Sequence, residues 1–378
     1  MPGAKHAILS PSASHIWLRC TRAPRMCEDL PDQQTDYARQ GTQAHSLCQY
    51  KLEKALGYYV RDPRAELALL DEEMESCSDD YVQFVMQLLS EMRQTCSDPV
   101  ILIEQRLDFS EWVPEGFGYG DCILVADGTV HVIDFKYGEG VLVDARDNSQ
   151  MMCYALGAIN LLDNLYDISS VSMTIFQPRR ENVSTWTQDK FELLGWADTV
   201  LKPAADLAYK GEGTFCAGEH CRFCRARATC RARAEYNLEL ARYDFAMPDT
   251  LEDDEISAIL SKIDSLTSWA ADIREYALSQ ALSGKHFEGF KVVNGRSVRR
   301  YTSETDVAKA VTDAGFDPYE RSILGITAMT KLLGKRRFKE ILGQLVTKAP
   351  GKPTLVPESD KRQAASSAKD DFSETEDN

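Results

Sequence analysis

The sequence predicts an α/β fold: a mixed central sheet flanked by helices, followed by a mainly helical C-terminal region. Three observations predict it. β-rich runs between residues 100 and 135 are joined by Asp127-Gly128, the strongest short-range hairpin signal. Apolar residues at helical spacing precede and follow those runs. The resulting order, helix–strand–strand–strand–helix–strand, is that of an α/β core.

Each element has a local reason. Ser10-Pro-Ser-Ala-Ser14 is a polar lead suited to capping a short helix through Trp17 and Leu18. Asp36 opens a helix over 36–56. A second spans 79–96, with Tyr81, Val85, Leu88, Leu89 and Met92 on one face. Past Pro99 the period changes, giving strands at 100–107, 121–126 and 129–135. A helix over 148–162, a strand over 171–177 and a helix over 191–209 follow, then a cysteine cluster and a helix over 231–242. From Met247 the character is helical, interrupted by one hairpin with strands near 287–293 and 297–301 around Asn294-Gly295. Helices at 304–314 and 327–347 complete the pattern. The expected organisation is an α/β domain over 1–240, a mainly helical domain with one hairpin over 245–350, and a disordered polar tail over 351–378.

Composition narrows the function. The chain has 378 residues, 43% hydrophobic and 27% charged, which is ordinary globular make-up. Its formal net charge of −16 excludes a generally basic nucleic-acid binder, so any such site must be a local patch. No apolar run approaches the roughly 20 residues of a membrane span. Residues 1–10 lack a charged stretch followed by an apolar one, so the expected compartment is cytoplasmic. Eleven cysteines in such a chain do not imply a disulfide framework, and the clustering of Cys216, Cys221, Cys224 and Cys230 points to metal ligation for some of them.

The acidic residues form a pattern of their own. Asp121 follows Gly118-Tyr119-Gly120, and Asp134 and Lys136 end the partner strand of the hairpin. Strand alternation puts Asp134 and Lys136 on one face and Phe135 on the other. Two carboxylates and an amine therefore converge at one end of the sheet. Close carboxylates repel unless a cation joins them, and oxygen ligands favour Mg²⁺ or Mn²⁺. A neighbouring lysine can orient a water and offset charge on a phosphorus centre, which suits phosphodiester hydrolysis. His45 is a candidate further ligand on the helix before the sheet. Gln150 and Tyr154, four residues apart, share a face of the helix after it.

Cys221-x2-Cys224-x5-Cys230 supplies three thiolates. The fourth ligand of a Zn²⁺ site or a [4Fe–4S] cluster could be Cys216 or His220 locally, or Cys20 at a distance. Spacing alone favours a local Zn²⁺ site, because a nearby ligand costs less loop-closure entropy. Cys27, Cys48, Cys77, Cys96, Cys122 and Cys153 read as small apolar residues.

Taken together, Gly41…His45, Gly118…Asp121, Asp134…Lys136 and Gln150…Tyr154 resemble, in order and on the expected elements, the RecB-like branch of the PD-(D/E)XK nuclease superfamily. The resemblance covers roughly residues 10–235 and implies a restriction-endonuclease-like core. It implies that His45, Asp121, Asp134 and the backbone carbonyl of Phe135 bind Mg²⁺ or Mn²⁺, that Lys136 serves the attacking water, and that Gln150 and Tyr154 support the site and the strand. Asp134 departs from the Glu that many relatives carry there, a shorter acid that the motif accepts. Glu104, on the preceding strand, is read as an outer supporting acid. The cysteine layout resembles iron–sulfur members, such as the nuclease subunits of AddAB-type helicase–nucleases and CRISPR-associated RecB-like exonucleases. That implies a [4Fe–4S] cluster on Cys20, Cys221, Cys224 and Cys230, in place of Zn²⁺. Ser12-Ala-Ser-His-Ile-Trp-Leu-Arg-Cys20, Gly218-Glu-His-Cys-Arg-Phe-Cys224 and Gly351-Lys-Pro-Thr-Leu-Val-Pro-Glu-Ser-Asp360 are similar to a family of uncharacterised phage-encoded proteins of this class.

The expectation is a metal-dependent DNA exonuclease processing single-stranded or duplex ends in phage recombination or replication, in the host cytoplasm, with a single-strand-binding or annealing protein as partner. The alternatives are a catalytically inactive scaffold that grips DNA ends or partner proteins, and a structure-specific endonuclease. Candidate DNA-tracking surfaces are Arg222, Arg225, Arg227, Arg231 and Arg233 around the cysteines, Arg296, Arg299 and Arg300, and Lys335, Arg336, Arg337 and Lys339. The acidic end of the tail is a candidate dock for a basic partner.

Overall fold

The computed structural model describes residues 7–30, 36–126, 128–239, 251–294, 301–319 and 323–347. Two compact units are present, Met1–Ser283 and Gly284–Asn378. The expected break between 240 and 245 and the expected tail lie outside the described residues.

The first unit is built on a five-stranded sheet of β1 (Val100–Asp108), β2 (Phe117–Ala126), β3 (Thr129–Phe135), β4 (Ser170–Gln177) and β5 (Asn182–Asp189), in that order. Every neighbouring pair is antiparallel except β3 and β4, which are parallel. This is the expected mixed sheet, and the parallel pair needs a crossover helix. The β2–β3 ladder closes at Ala126↔Thr129, and Gly128 has φ +78, the left-handed conformation such a loop requires. Asp127 itself lies outside the described residues.

The helices are α1 (Ser14–Trp17), α2 (Ala23–Met26), α3 (Asp36–Ala55), α4 (Glu72–Thr95), α5 (Ser149–Leu162), α6 (Lys190–Trp196), α7 (Lys202–Lys210), α8 (Arg231–Leu238) and α9 (Asp253–Leu282). α3 buries Ala44, Leu47, Cys48 and Leu52, the i, i+3, i+4 stripe of an amphipathic helix. α4 begins earlier than its expected start at 79. Asp71 accepts the Met74 N–H at 2.8 Å, and Glu72, Glu73 and Glu75 fill the first turn against the helix dipole. α5 is the crossover. Asn148 caps it through the N–H groups of Gln150 and Met151, and it is apolar nearly all round. α3 and α4 cover one face of the sheet and α5 the other, giving one core layer around Phe135 and Leu47 and a second around Val132 and Met151.

Two expectations need correction. β5 is an unannounced strand: its inward and outward residues alternate, but three of its four inward residues, Asn182, Ser184 and Gln188, are polar, so no apolar stripe marks it. Residues 287–293 form no strand. Gly289 has φ +78 and the Phe290 N–H donates to the Phe287 carbonyl, closing a turn where a ladder was expected. Most of its expected partner strand lies outside the described residues.

The second unit holds α10 (Glu304–Asp313), capped by Ser303, and α11 (Ile326–Leu342), which kinks at Gly334 with φ +73. Among the described residues no helix is long and apolar enough to cross a membrane.

Candidate metal and nuclease site

The site lies where β1, β2 and β3 meet the N-terminal end of α5. Up to Ile103, odd residues of β1 face α3 and α4: Ile101 and Ile103 pack there, and Val100 and Leu102 pack on the α5 side. By Leu107 the parity has reversed, and that side chain lies in the α5 layer. β2 reverses in step. Cys122 and Leu124 face α3 and α4, but a Cβ on Gly118 would stand 2.7 Å from Tyr154 Cε1 on α5. The register is unbroken, with Ile103↔Cys122 on one side of the switch and Gln105↔Gly120 on the other. Glu104 sits at the switch with φ +47, opposite Asp121. A left-handed glutamate in a strand costs of order 1–3 kcal/mol and persists only where the surroundings impose it. The effect is to turn Glu104 and Asp121 together onto the α3 side.

His45 meets them there. Its Nδ1 lies 3.1 Å from Asp121 Oδ1, and one ligating atom each from His45, Glu104 and Asp121 fall within 4.8 Å of one another. Asp121 Oδ2 accepts the Phe135 N–H at 2.7 Å, which fixes the carboxylate across the β2–β3 gap. The His45 ring stands edge-on to Phe135 at 5.5 Å.

Asp134 belongs to an adjoining network. It is 3% exposed, and Lys136 Nζ lies 3.0 Å from its Oδ2. Gln150 Nε2 donates to Asp134 Oδ1 at 3.1 Å and to Tyr154 OH at 3.3 Å, while Lys136 Nζ donates to Gln150 Oε1 at 3.1 Å. One amide thus ties together an acid, an amine and a phenol. The structure brings His45 and Asp121 together with Glu104, a trio whose atoms could hold a metal ion; Asp134, expected as a further ligand, stands outside the trio with Lys136, Gln150 and Tyr154. Glu104, read as an outer acid, stands within the group. The signal was an isolated acid in the apolar run Val100-Ile-Leu-Ile-Glu104.

The electrostatics suit a cation. Burial and the nearby Asp121 carboxylate push Glu104 up to about 7. Burial pushes His45 down, but Asp121 outweighs it and holds the imidazole at about 9. Burial works against ionised Asp121 as well, and the His45 charge reverses the balance, so its carboxyl stays below the usual range. Burial raises Asp134, with Lys136 opposing. A divalent ion would neutralise the adjacent acids and take the place of the His45 proton. One nitrogen and two carboxylates form a donor set that Mg²⁺ or Mn²⁺ accepts.

A pH dependence follows. A raised histidine stabilises the fold below its unfolded pKa of about 6.5, and that contribution is lost as pH rises through about 9. A raised glutamate acts with the same sign, through about 7. Chelator-treated protein is therefore expected to melt progressively lower from about pH 4.5 to about pH 9, by about 1–2 °C per kcal/mol lost. Glu104→Gln should remove the lower step and His45→Gln the upper. A melting temperature flat across that range contradicts the assignment.

The cysteines form a second centre. Cys20, Cys216, Cys221, Cys224 and Cys230 line one cavity with His220, Ile16, Ala23 and Met26. Cys20 Sγ accepts the Cys216 N–H at 3.5 Å, and Cys221 Sγ accepts the Gly218 N–H at 3.4 Å. Cys27, read as a simple apolar residue, places its Sγ 3.6 Å from that of Cys224. No disulfide forms among the described residues. Around the cavity the chain start is tied to the end of the sheet unit: Thr21 Oγ1 donates to the Glu212 carbonyl, Arg25 Nε to the Tyr209 carbonyl and Arg225 Nη1 to the Leu30 carbonyl.

Two of the five arginines around the cysteines are taken up inside the fold, while Arg222, Arg225 and Arg231 are exposed. Arg227 and Arg233 both pair with Asp272 of α9, and Arg233 is 2% exposed. Arg222 lies over the Phe223 ring at 4.6 Å. Arg227 and Arg233 fasten α9. Of the two distal patches, 296–300 and the side chains of Lys335 and Arg336 lie outside the described residues.

A family model described as "Protein of unknown function (DUF2800)" matches residues 6–363. A solved structure titled "Crystal structure of SSO0001" is similar at 13% identity, over 51% of this chain and 98% of that one, with a TM-score of 0.22. A likeness at that level carries no argument about the site.

Proposed function

The chain belongs to the DUF2800 family, and we propose that it is a metal-dependent DNA exonuclease of the RecB-like PD-(D/E)XK type. The observation that carries this reading is the pairing at one sheet end of a His45–Glu104–Asp121 ligand group with the Asp134–Lys136–Gln150–Tyr154 network. An acid–amine pair held by a glutamine, beside a cation site, suits in-line attack of water on a phosphodiester.

Mg²⁺ or Mn²⁺, when bound by His45, Glu104 and Asp121 with Asp134 adjoining, would supply Lewis-acid charge at the phosphoryl oxygens. Asp134 keeps the Lys136 ammonium in place, and Gln150 fixes the pair by bonding to both. Lys136 orients the attacking water and offsets charge as the phosphorus gains a fifth oxygen. Tyr154 braces Gln150. Cys20, Cys221, Cys224 and Cys230 would hold a [4Fe–4S] cluster that staples the chain start to the end of the sheet unit, with structural Zn²⁺ as the competing occupant. Processing of phage DNA ends, alongside a single-strand-binding or annealing protein, is the context the sequence resemblance supplies.

The test is anaerobically purified full-length chain with end-labelled linear duplex and single-stranded DNA, with Mg²⁺, Mn²⁺ or a chelator. Release of labelled nucleotides that needs the metal is the expected result. Cutting of circular DNA at a similar rate would make it an endonuclease, and metal-independent or absent cutting rejects the proposal.

A further inference from the structure

The parity switch that turns Glu104 and Asp121 toward α3 also sets the residues beyond it. Gly118 and Gly120 abut Tyr154 and Leu107 on the α5 side, so Phe117 and Tyr119 project on the side of Asp121, and Arg106 projects beside Glu104. These three side chains make one stack. The Arg106 guanidinium lies 4.6 Å over the Phe117 ring, and Phe117 meets Tyr119 edge-to-face at 6.4 Å. Tyr119 is 41% exposed and only two residues from Asp121, roughly 7 Å along a strand. Arg106 has one ion-pair partner, Asp108 at 3.5 Å, and both side chains are about half exposed, so solvent screens that pair heavily.

Isolated apolar residues on a surface need no explanation. A guanidinium and two rings stacked at the rim of an acidic cation site form a different arrangement. The acids alone repel a phosphate chain, and something next to them must hold it. An exposed ring offers a base a stacking face, which only an unpaired base can use, and an arginine offers its phosphate a fork of N–H donors.

We propose that the Arg106–Phe117–Tyr119 face of the β1–β2 ribbon is the shelf on which a single DNA strand lies as it reaches the site, with a base stacked on Tyr119 and the adjoining phosphate on Arg106. This rests on the nuclease reading and deepens it. The shelf selects unpaired ends, and it sets substrate affinity with little effect on the chemical step.

The probe is a fluorescein-labelled oligodeoxythymidylate, and a second carrying 2-aminopurine, titrated into full-length Lys136→Ala protein so that nothing is cut. Tyr119→Ala in that background should weaken binding about tenfold and lose the 2-aminopurine quenching. Tyr119→Trp should keep both. Arg106→Ala should weaken binding and lower the salt slope by about one. In the chain with Lys136 intact, Tyr119→Ala should raise KM with kcat nearly unchanged. If the parent binds and all variants bind equally, the shelf is wrong and the nuclease reading stands. Equal losses on duplex and single strand would overturn the stacking role of Tyr119. A chain with Lys136 intact that neither binds nor cuts DNA removes the nuclease reading and the shelf together.

Discussion

Lys136→Ala is expected to lower DNA hydrolysis by about 10²–10⁴-fold, while Mn²⁺ binding and DNA affinity survive. Among the described residues, the Lys136 amine is the cation that contacts both Asp134 and Gln150, so no neighbour takes over its place at the water. In free energy the loss is about 3–5 kcal/mol of barrier. Asp121→Asn should fail differently. It removes a charge from the ligand group that His45 and Glu104 share, so Mn²⁺ binding, read by calorimetry, should weaken along with cutting. Glu104→Gln should follow Asp121→Asn, since its carboxylate stands in the same group. A Lys136→Ala protein that cuts at the parent rate would remove the catalytic reading of the Asp134–Lys136 pair. If the parent binds DNA ends without cutting them in either metal, the fold serves as a binding scaffold.

Asp134 sharpens this comparison. It is almost fully buried, and removal of Lys136 leaves its carboxylate with Gln150 alone. Burial has already raised its pKa, so in Lys136→Ala the acid protonates more readily and the fold tolerates the change. Lys136→Met keeps the packed stem without the charge and serves as the folding control. A melting temperature near that of the parent in Lys136→Met, together with lost cutting, separates chemistry from stability.

The parts of this site that lie in short stretches of chain were legible in the sequence. The hairpin across 127–128, the Asp134–Lys136 pair on one face and the helical spacing of Gln150 and Tyr154 depend on neighbours within a few residues, and local periodicity encodes them. Glu104 was visible only as a misplaced acid, because its position depends on a parity switch shared by two strands, and strict alternation predicts the wrong face. Arg227 and Arg233 read as part of a surface patch because their partner, Asp272, lies about 40 residues on in sequence. The strand Asn182–Asp189 lacked an apolar signature because Trp186 is the one apolar residue among its inward positions. The hairpin at 287–301 was the reverse case. Asn-Gly between β-branched residues is a strong local signal, yet residues 287–293 pair with no strand among the described residues.

Cys221→Ala is expected to cost the most stability of any substitution considered. If Cys20, Cys221, Cys224 and Cys230 hold one cluster, the metal closes a loop of about two hundred residues, and opening it restores about 4–5 kcal/mol of chain entropy to the unfolded state. For a chain of this size that lowers the melting temperature by about 5–10 °C. The parent, purified under argon, should be brown with broad absorbance near about 400 nm, and Cys20→Ala and Cys221→Ala should lose it. Cys20 is the informative position. It lies far from the other three in sequence yet lines the same cavity, and a local Zn²⁺ site on Cys216 or His220 would not need it. Cys20→Ala that leaves metal content and melting unchanged would therefore reject the staple. Cys27→Ala is the contrasting control. Its sulfur touches Cys224, but it stands outside the residues lining the cavity, so its loss should leave the absorbance in place. Glu104, Asp121 and Asp134 sit on the sheet, apart from the helices and loops that line the cysteine cavity. A cluster-free chain that still folds at low temperature should retain metal-dependent cutting, whereas Lys136→Ala should retain colour and lose cutting. That reciprocal pattern distinguishes a structural cluster from one that takes part in the chemistry, and a Cys221→Ala protein that is folded but wholly inactive would argue for the latter.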